Sequence, residues 1–139
     1  IGPDAERAGT ILHGTEAVLA TTESKVPWTT IMIRKSFGVA AAAHYGPDGY
    51  VLAWPSAESG PLPLEGGVAV AFKKEIASAK NPEAKRKELE EKMAKNQSPF
   101  PRAEAFSVHE IIDPRETRNY IALWAERIQS QLKASLMNR

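Results

Sequence analysis

The feature that most limits the fold is a strand that runs into a glycine and then into a stretch of alanines. Thr29, Thr30, Ile31, Met32 and Ile33 follow the break at Val26-Pro27. They are β-branched or apolar and read as a buried strand. Arg34-Lys35-Ser36-Phe37-Gly38 ends it, and Val39 to Ala43 is a small-residue run suited to a tightly packed helix. That order requires a sharp strand–turn–helix. Tyr45-Gly46-Pro47-Asp48-Gly49 is a turn cluster, and Tyr50 to Trp54 reads as a second strand, stopped by Pro55.

The remaining elements are mostly helical. A helix is expected from about Asp4 to Thr22, with Pro3 and Asp4 at its start and Ile11, Leu12, Val18 and Leu19 on one face. Gly9 and Gly14 weaken it or mark close packing. Ser59 to Pro63 reads as a loop and Glu65 to Ile76 as a helix. Asn81-Pro82-Glu83 is a strong helix start. The charged helix after it offers Glu83–Lys87, Glu88–Lys92 and Glu91–Lys95 as i,i+4 pairs. Ser98-Pro99-Phe100-Pro101 breaks it, Ala103 to Phe106 allows one helical turn, and Val108 to Ile112 is short and apolar. Asp113-Pro114-Arg115-Glu116 starts the last helix, with Glu116 placed to complete a capping box and Thr117, Ile121, Trp124, Ile128 and Leu132 as its buried stripe. Strands alternating with helices give an α/β layered architecture, and 139 residues suit one domain.

Composition excludes more than it selects. There is no cysteine, which removes disulfides, thiolate catalysis and Cys-based metal sites and fits a reducing cytoplasm. The formal charge of +1 gives no reason to expect nucleic acid or an anionic membrane as partner. No apolar run approaches the roughly 20 residues of a membrane span. Ile1-Gly2-Pro3-Asp4 runs abruptly into a helical pattern, so the chain reads as a piece of something longer.

Among residues that could carry chemistry, the turn Phe37-Gly38-Val39-Ala40 stands first. The opening amides of a helix lack internal partners and can hold a developing oxyanion without any special side chain. The small residues after it would let a substrate approach the backbone. An ordinary βα turn before a packed alanine helix explains the same residues. His13, His44 and His109 show no metal-ligand spacing, so no metal is expected. His44 follows the turn and could approach a ligand or sit exposed at a helix end; His13 suits a structural hydrogen bond and His109 a surface position. Glu65 could act as a general acid or base, or could simply favour a helix N-terminus. Arg34-Lys35 and Lys73-Lys74 could meet phosphates, though short basic pairs are usually solvated. Trp28, Trp54 and Trp124 suit core or interface anchors.

Five segments together resemble the carboxyltransferase subunit of biotin-dependent acyl-CoA carboxylases. They are Glu6-Arg7-Ala8-Gly9-Thr10-Ile11-Leu12-His13-Gly14, with Leu12 where Arg is usual; Val26-Pro27 with Arg34-Lys35-Ser36-Phe37-Gly38-Val39-Ala40; Ala53-Trp54-Pro55-Ser56-Ala57-Glu58; Glu65-Gly66-Gly67-Val68; and Ile111-Ile112-Asp113-Pro114-Arg115-Glu116-Thr117-Arg118. Their order and spacing hold from about Glu6 to Trp124.

The resemblance implies a crotonase-type (ClpP/crotonase-like) fold of layered ββα units. Residues 1–139 would be the later part of the second of two such domains. It implies carboxyl transfer from carboxybiotin to the α-carbon of an acyl-CoA, with biotin on a separate carrier. Partners would be the first carboxyltransferase domain, the biotin carboxyl carrier and biotin carboxylase subunits, and further copies in a ring-like homo-oligomer. The oxyanion hole maps onto the backbone N–H groups of Val39 and Ala40, with Phe37, Gly38, Ala41 and Ala42 around the substrate. Val39 replaces the family's usual second glycine. Ala41 and Ala42 stand where many relatives carry Tyr and Asp, which implies a roomier pocket and an acyl group larger than propionyl. A biotin-dependent decarboxylase, a single-domain crotonase using Glu58 or Glu65, and a non-catalytic assembly subunit remain as alternatives.

Overall fold

The computed structural model describes residues 2–46 and 49–137, the side chains of Glu65 and of residues 135–137 excepted. The elements in chain order are α1 (Pro3–Arg7), α2 (Thr10–Thr22), β1 (Thr29–Met32), β2 (Lys35–Phe37), α3 (Gly38–Ala42), β3 (Tyr50–Ala53), β4 (Glu58–Gly60), α4 (Leu64–Ala71), α5 (Lys73–Ser78), α6 (Pro82–Gln97), α7 (Pro99–Glu104), β5 (Glu110–Ile111), a 3-10 turn (Pro114–Glu116) and α8 (Thr117–Met137).

The β-branched strand and its partner form as expected. β1 pairs in parallel with β3, Thr29 opposite Tyr50 and Met32 opposite Ala53, and β5 adds in parallel on the other side of β3. A central strand is covered on both faces, and Val51, Leu52 and Ala53 are all buried. Met32, Val51, Ala53, Ala57 and Val108 make the core, with Tyr45, Ala103 and Ile111 against it.

Two strands were not expected. Lys35-Ser36-Phe37 leaves the first sheet and pairs in parallel with Glu58-Ser59-Gly60, Phe37 opposite Gly60. Ser59 and Gly60 therefore belong to a strand and not to a loop. Three residues are too few to show a period of two, and the pairing is fixed only by partners 23 positions away in the register Lys35–Glu58.

The first helix is two. Gly9 takes φ 84, a left-handed conformation that ends α1 and starts α2. The apolar face of α2 is open, with Ile11 66%, Leu12 61% and Leu19 56% exposed. α2 packs mainly on α1 and α3, and that face stays open. The Glu65–Ile76 expectation likewise divides, at Phe72, into α4 and α5.

α6 begins as its sequence requires, with the Asn81 side chain accepting from the Ala84 amide at 3.1 Å. Its ion pairs fall in another register from the one expected: Lys85–Glu88 at 2.9 Å, Arg86–Glu90 at 2.7 Å, and Lys85–Glu75 at 3.2 Å across to α5. Asp113 accepts from the Arg115 amide at 2.9 Å. The capping box does not close, because the Glu116 carboxylate instead accepts from the Asn119 amide side chain at 2.7 Å. The stripe of α8 is half covered: Thr117, Trp124 and Ile128 are partly buried, while Ile121 and Leu132 are exposed. No helix among the described residues is long and apolar enough to cross a membrane.

Candidate functional site

The chain reaches the candidate turn through β2. Phe37 is extended, at φ −126 and ψ 146, and Gly38 then takes φ 68. An L-residue would be strained at that angle, so glycine is required to bend the strand into α3. A Cβ on Gly38 would lie 3.6 Å from the Pro61 carbonyl oxygen, an ordinary contact, so the backbone angle and not space is what calls for glycine.

The amides of Val39 and Ala40 fall in the first turn of α3. Among the described residues neither donates to a backbone or side-chain acceptor. Residues 38–40 are exposed. α3 has only five residues, so its dipole is small, and any field at this place comes from the two N–H groups themselves.

Two neighbours hold the turn. On one side the β2–β4 ladder sets Phe37 against Gly60, where a Cβ would sit 3.6 Å from the Phe37 ring. On the other, α2 lies against α3: the Thr21 hydroxyl is shared between the Ala17 carbonyl of its own helix at 2.8 Å and the Ala43 carbonyl at 3.0 Å. A Cβ on Gly14 would be 3.7 Å from Val39 Cγ1, an ordinary contact. The Val39 side chain is 61% exposed beside the amides. Ala40 and Ala42 are exposed and Ala41 is half-buried, so from Gly38 to Ala42 no side chain is bulkier than the isopropyl group of Val39.

The other candidates lie apart from it. His13 Nδ1 pairs with Glu16 at 3.1 Å on the exposed face of α2. The His44 carbonyl accepts from the Trp28 indole at 2.9 Å and from the Thr30 hydroxyl, and its side chain is exposed. His109 is exposed but not idle. Its Nδ1 accepts from the Val51 amide at 3.1 Å while its own amide donates to the Val51 carbonyl at 2.8 Å. Its ring thereby extends the β3–β5 ladder. The Glu65 carboxylate lies outside the described residues. Lys73, Lys74 and Arg34 are exposed. Trp54 is half-buried and donates to the Thr117 hydroxyl at 2.9 Å.

Two electrostatic groupings were not anticipated. Tyr50 donates to the Glu110 carboxylate, and burial together with that bond pushes its hydroxyl up to about 12. Tyr120 shares the same carboxylate and is also raised. The second grouping surrounds a cavity of about 390 Å³ between α4, α5, α6 and β4. Ser59 Oγ and Arg102 Nε are buried beside it without hydrogen-bond partners. Nothing in the sequence marks either residue, since a lone Ser in a three-residue strand and an Arg after a Pro carry no pattern.

Two layers of short parallel strands, in which the pairs β1–β2 and β3–β4 each lead into a helix, define the class. The crystal structure of transcarboxylase 12S, described as a hexamer assembly with methylmalonyl-coenzyme A and methylmalonic acid bound, matches with a TM-score of 0.81 and 36% identity over 94% of this chain and 26% of that one. The fold is therefore the crotonase type of α/β architecture. The propionyl-CoA carboxylase carboxyltransferase subunit of Haloferax mediterranei is 33% identical over 138 residues, 96% of this chain and 27% of the relative. The methylmalonyl-CoA carboxyltransferase 12S subunit of Propionibacterium freudenreichii subsp. shermanii is 38% identical over 125 residues, 87% of this chain and 24% of the relative. Residues 1–138 match the carboxyl transferase domain, and the chain belongs to that family. It spans about a quarter of the length of these relatives.

Proposed function

We propose that this chain forms the later part of the second crotonase-like domain of a biotin-dependent acyl-CoA carboxyltransferase, and that it supplies the oxyanion hole facing biotin. The observation that carries this reading is the pair of exposed, unpartnered amides at Val39 and Ala40, at the glycine turn of a chain belonging to the carboxyl transferase family.

The residues at the turn fit such a group. Residues 38–40 and 42 are exposed, the Val39 and Ala40 amides are successive donors in the first turn of α3, and no side chain from Gly38 to Ala42 is charged. When bound, carboxybiotin would supply the carboxyl group and then a ring nitrogen to take the α-proton of the thioester. The chain's own part is to donate the Val39 and Ala40 N–H groups to the ureido oxygen. Gly38 sets their direction, and the Phe37–Gly60 ladder and the Thr21–Ala43 bond hold that direction fixed. Preorganised amides of this kind cost no reorganisation when charge develops. With the cofactor as base, no His–carboxylate pair is required.

Ala41 and Ala42 add little bulk, which supports an acyl group larger than propionyl. The first carboxyltransferase domain, a biotin carrier, a biotin carboxylase subunit and further copies of the chain are the partners this reading requires. Val39 beside the amides favours one competing reading, an assembly subunit without activity. Carboxyl exchange between a carboxylated acyl-CoA and free biotin separates the two. It is measured on the full polypeptide that carries this chain, and on the same polypeptide with Ala40→Pro, which removes one N–H. Exchange that falls by about 10²–10³ in the variant supports the oxyanion role. Absence of exchange in the unaltered polypeptide supports the assembly role.

A further inference from the structure

We infer that the cavity between α4, α5, α6 and β4 is a binding site for a small amphipathic anion, a medium-chain carboxylate, separate from the Val39–Ala40 turn. Its volume of about 390 Å³ lies in the range of small-molecule sites. Leu62, Phe72, Leu89 and Met93 form apolar walls that suit an aliphatic tail.

The polar residues at its border are short of partners. Ser59 is 2% exposed and its hydroxyl bonds to nothing among the described residues. Arg102 buries Nε without an acceptor, and no carboxylate pairs with its guanidinium among the described residues. Gln97 is 5% exposed and its amide nitrogen is committed to the Leu62 carbonyl at 2.8 Å, which fixes the side chain. A half-buried guanidinium without an anion is costly, and buried polar atoms without partners are rare.

Charge selects the sign of the ligand. Lys92 and Arg102 border the cavity and neither has an ion-pair partner among the described residues. The acid at the border, Glu75, is engaged by Lys85 at 3.2 Å. An anionic head with an apolar tail satisfies both halves of the lining, and a cation or a neutral alcohol satisfies one. Arg102 also borders a second cavity beside Tyr45 and His109, whereas Lys92 borders the first and not that one. Lys92 is therefore the residue that tells them apart.

The site stands one residue layer from the proposed oxyanion turn. A Cβ on Gly60 would be 3.8 Å from Gln97 Cγ and 3.6 Å from the Phe37 ring. The inference does not depend on the carboxyltransferase reading, because binding is measured without turnover.

Octanoate is titrated calorimetrically into the full polypeptide that carries this chain, with octylamine and octanol as charge-reversed and neutral controls. Saturable binding of one octanoate per chain is expected, weakened about tenfold by Arg102→Gln and about threefold by the surface substitution Lys92→Gln. Octylamine and octanol bind more weakly. No saturable octanoate binding, equal binding of octylamine, or octanoate binding unchanged by Lys92→Gln overturns the proposal. Lys92→Gln decides alone if Arg102→Gln fails to fold.

Discussion

The indole N–H of Trp54 donates to the hydroxyl of Thr117 at 2.9 Å, joining the end of β3 to the first residue of α8 across 63 positions of chain. Both residues lie in segments through which the sequence resembles its family, Ala53–Glu58 and Ile111–Arg118. Two motifs far apart in the chain are thus one contact in space. Trp54→Phe and Thr117→Val should each lower stability by about 1 kcal/mol. Their double-mutant cycle should return a coupling of about 0.5–1.5 kcal/mol. Additive losses in denaturant unfolding would mean that the bond contributes nothing of its own.

The Tyr50 hydroxyl is raised from its ordinary 10.0 to about 12, first by burial and then by the bond to Glu110. The raised group is neutral below that range, so its contribution to stability is whole below pH 10 and is lost as pH rises through about 12. Ultraviolet titration should find a tyrosine ionising late. Glu110→Gln should bring it partway back, leaving the part due to burial. A Tyr50 that titrates at its usual value would show that its hydroxyl is neither buried nor bonded to Glu110 as described.

Gly46 takes φ 72, and a Cβ there would lie 2.5 Å from Trp28 Cγ. Gly46→Ala combines a left-handed strain of about 1–2 kcal/mol with a clash that must move the indole away from the His44 carbonyl. A total loss of about 2–4 kcal/mol is expected from thermal unfolding. Gly66 also has a positive φ, 86, but open space around its Cβ position. Gly66→Ala should cost only the strain, about 1–2 kcal/mol.

At the proposed oxyanion turn, Val39→Gly keeps the amide and removes the isopropyl group. Exchange activity of the full polypeptide should stay within about tenfold of the parent, against the 10²–10³ loss from Ala40→Pro. Across a series of acyl-CoA lengths the optimum should lie beyond propionyl, and Ala42→Asp should move it to shorter chains. An optimum at acetyl would refute the roomy-pocket reading.

The sequence made β1, β3 and α6 legible because each carries its own signal: a β-branched run in β1, an apolar run between a turn cluster and Pro55 in β3, and Asn81-Pro82 at the start of α6. The glycine turn at 38 was legible for the same reason, since a strand, a glycine and an alanine run dictate the bend. β2 and β4 were not, because three-residue strands are created by their partner and not by their composition. The break at Gly9 was visible only as a weakness, since a glycine inside a helical pattern does not announce whether φ will be positive. The open face of α2 is the converse case: periodicity marks Ile11, Leu12 and Leu19 as apolar on one side but cannot say what covers them. Ser59 and Arg102 were illegible because being without a partner is a property of the assembled neighbourhood.

The two exposed amides sit within the crossover that carries the chain from β1 to β3, and parallel pairing pins both ends of that crossover. Inside that crossover Phe37 pairs with Gly60 of the second sheet, so the turn stands where the two sheets are joined. A chain in which β4 has not yet met β2 lacks the Phe37–Gly60 pairing that holds the bend at Gly38, so the site draws on both sheets at once.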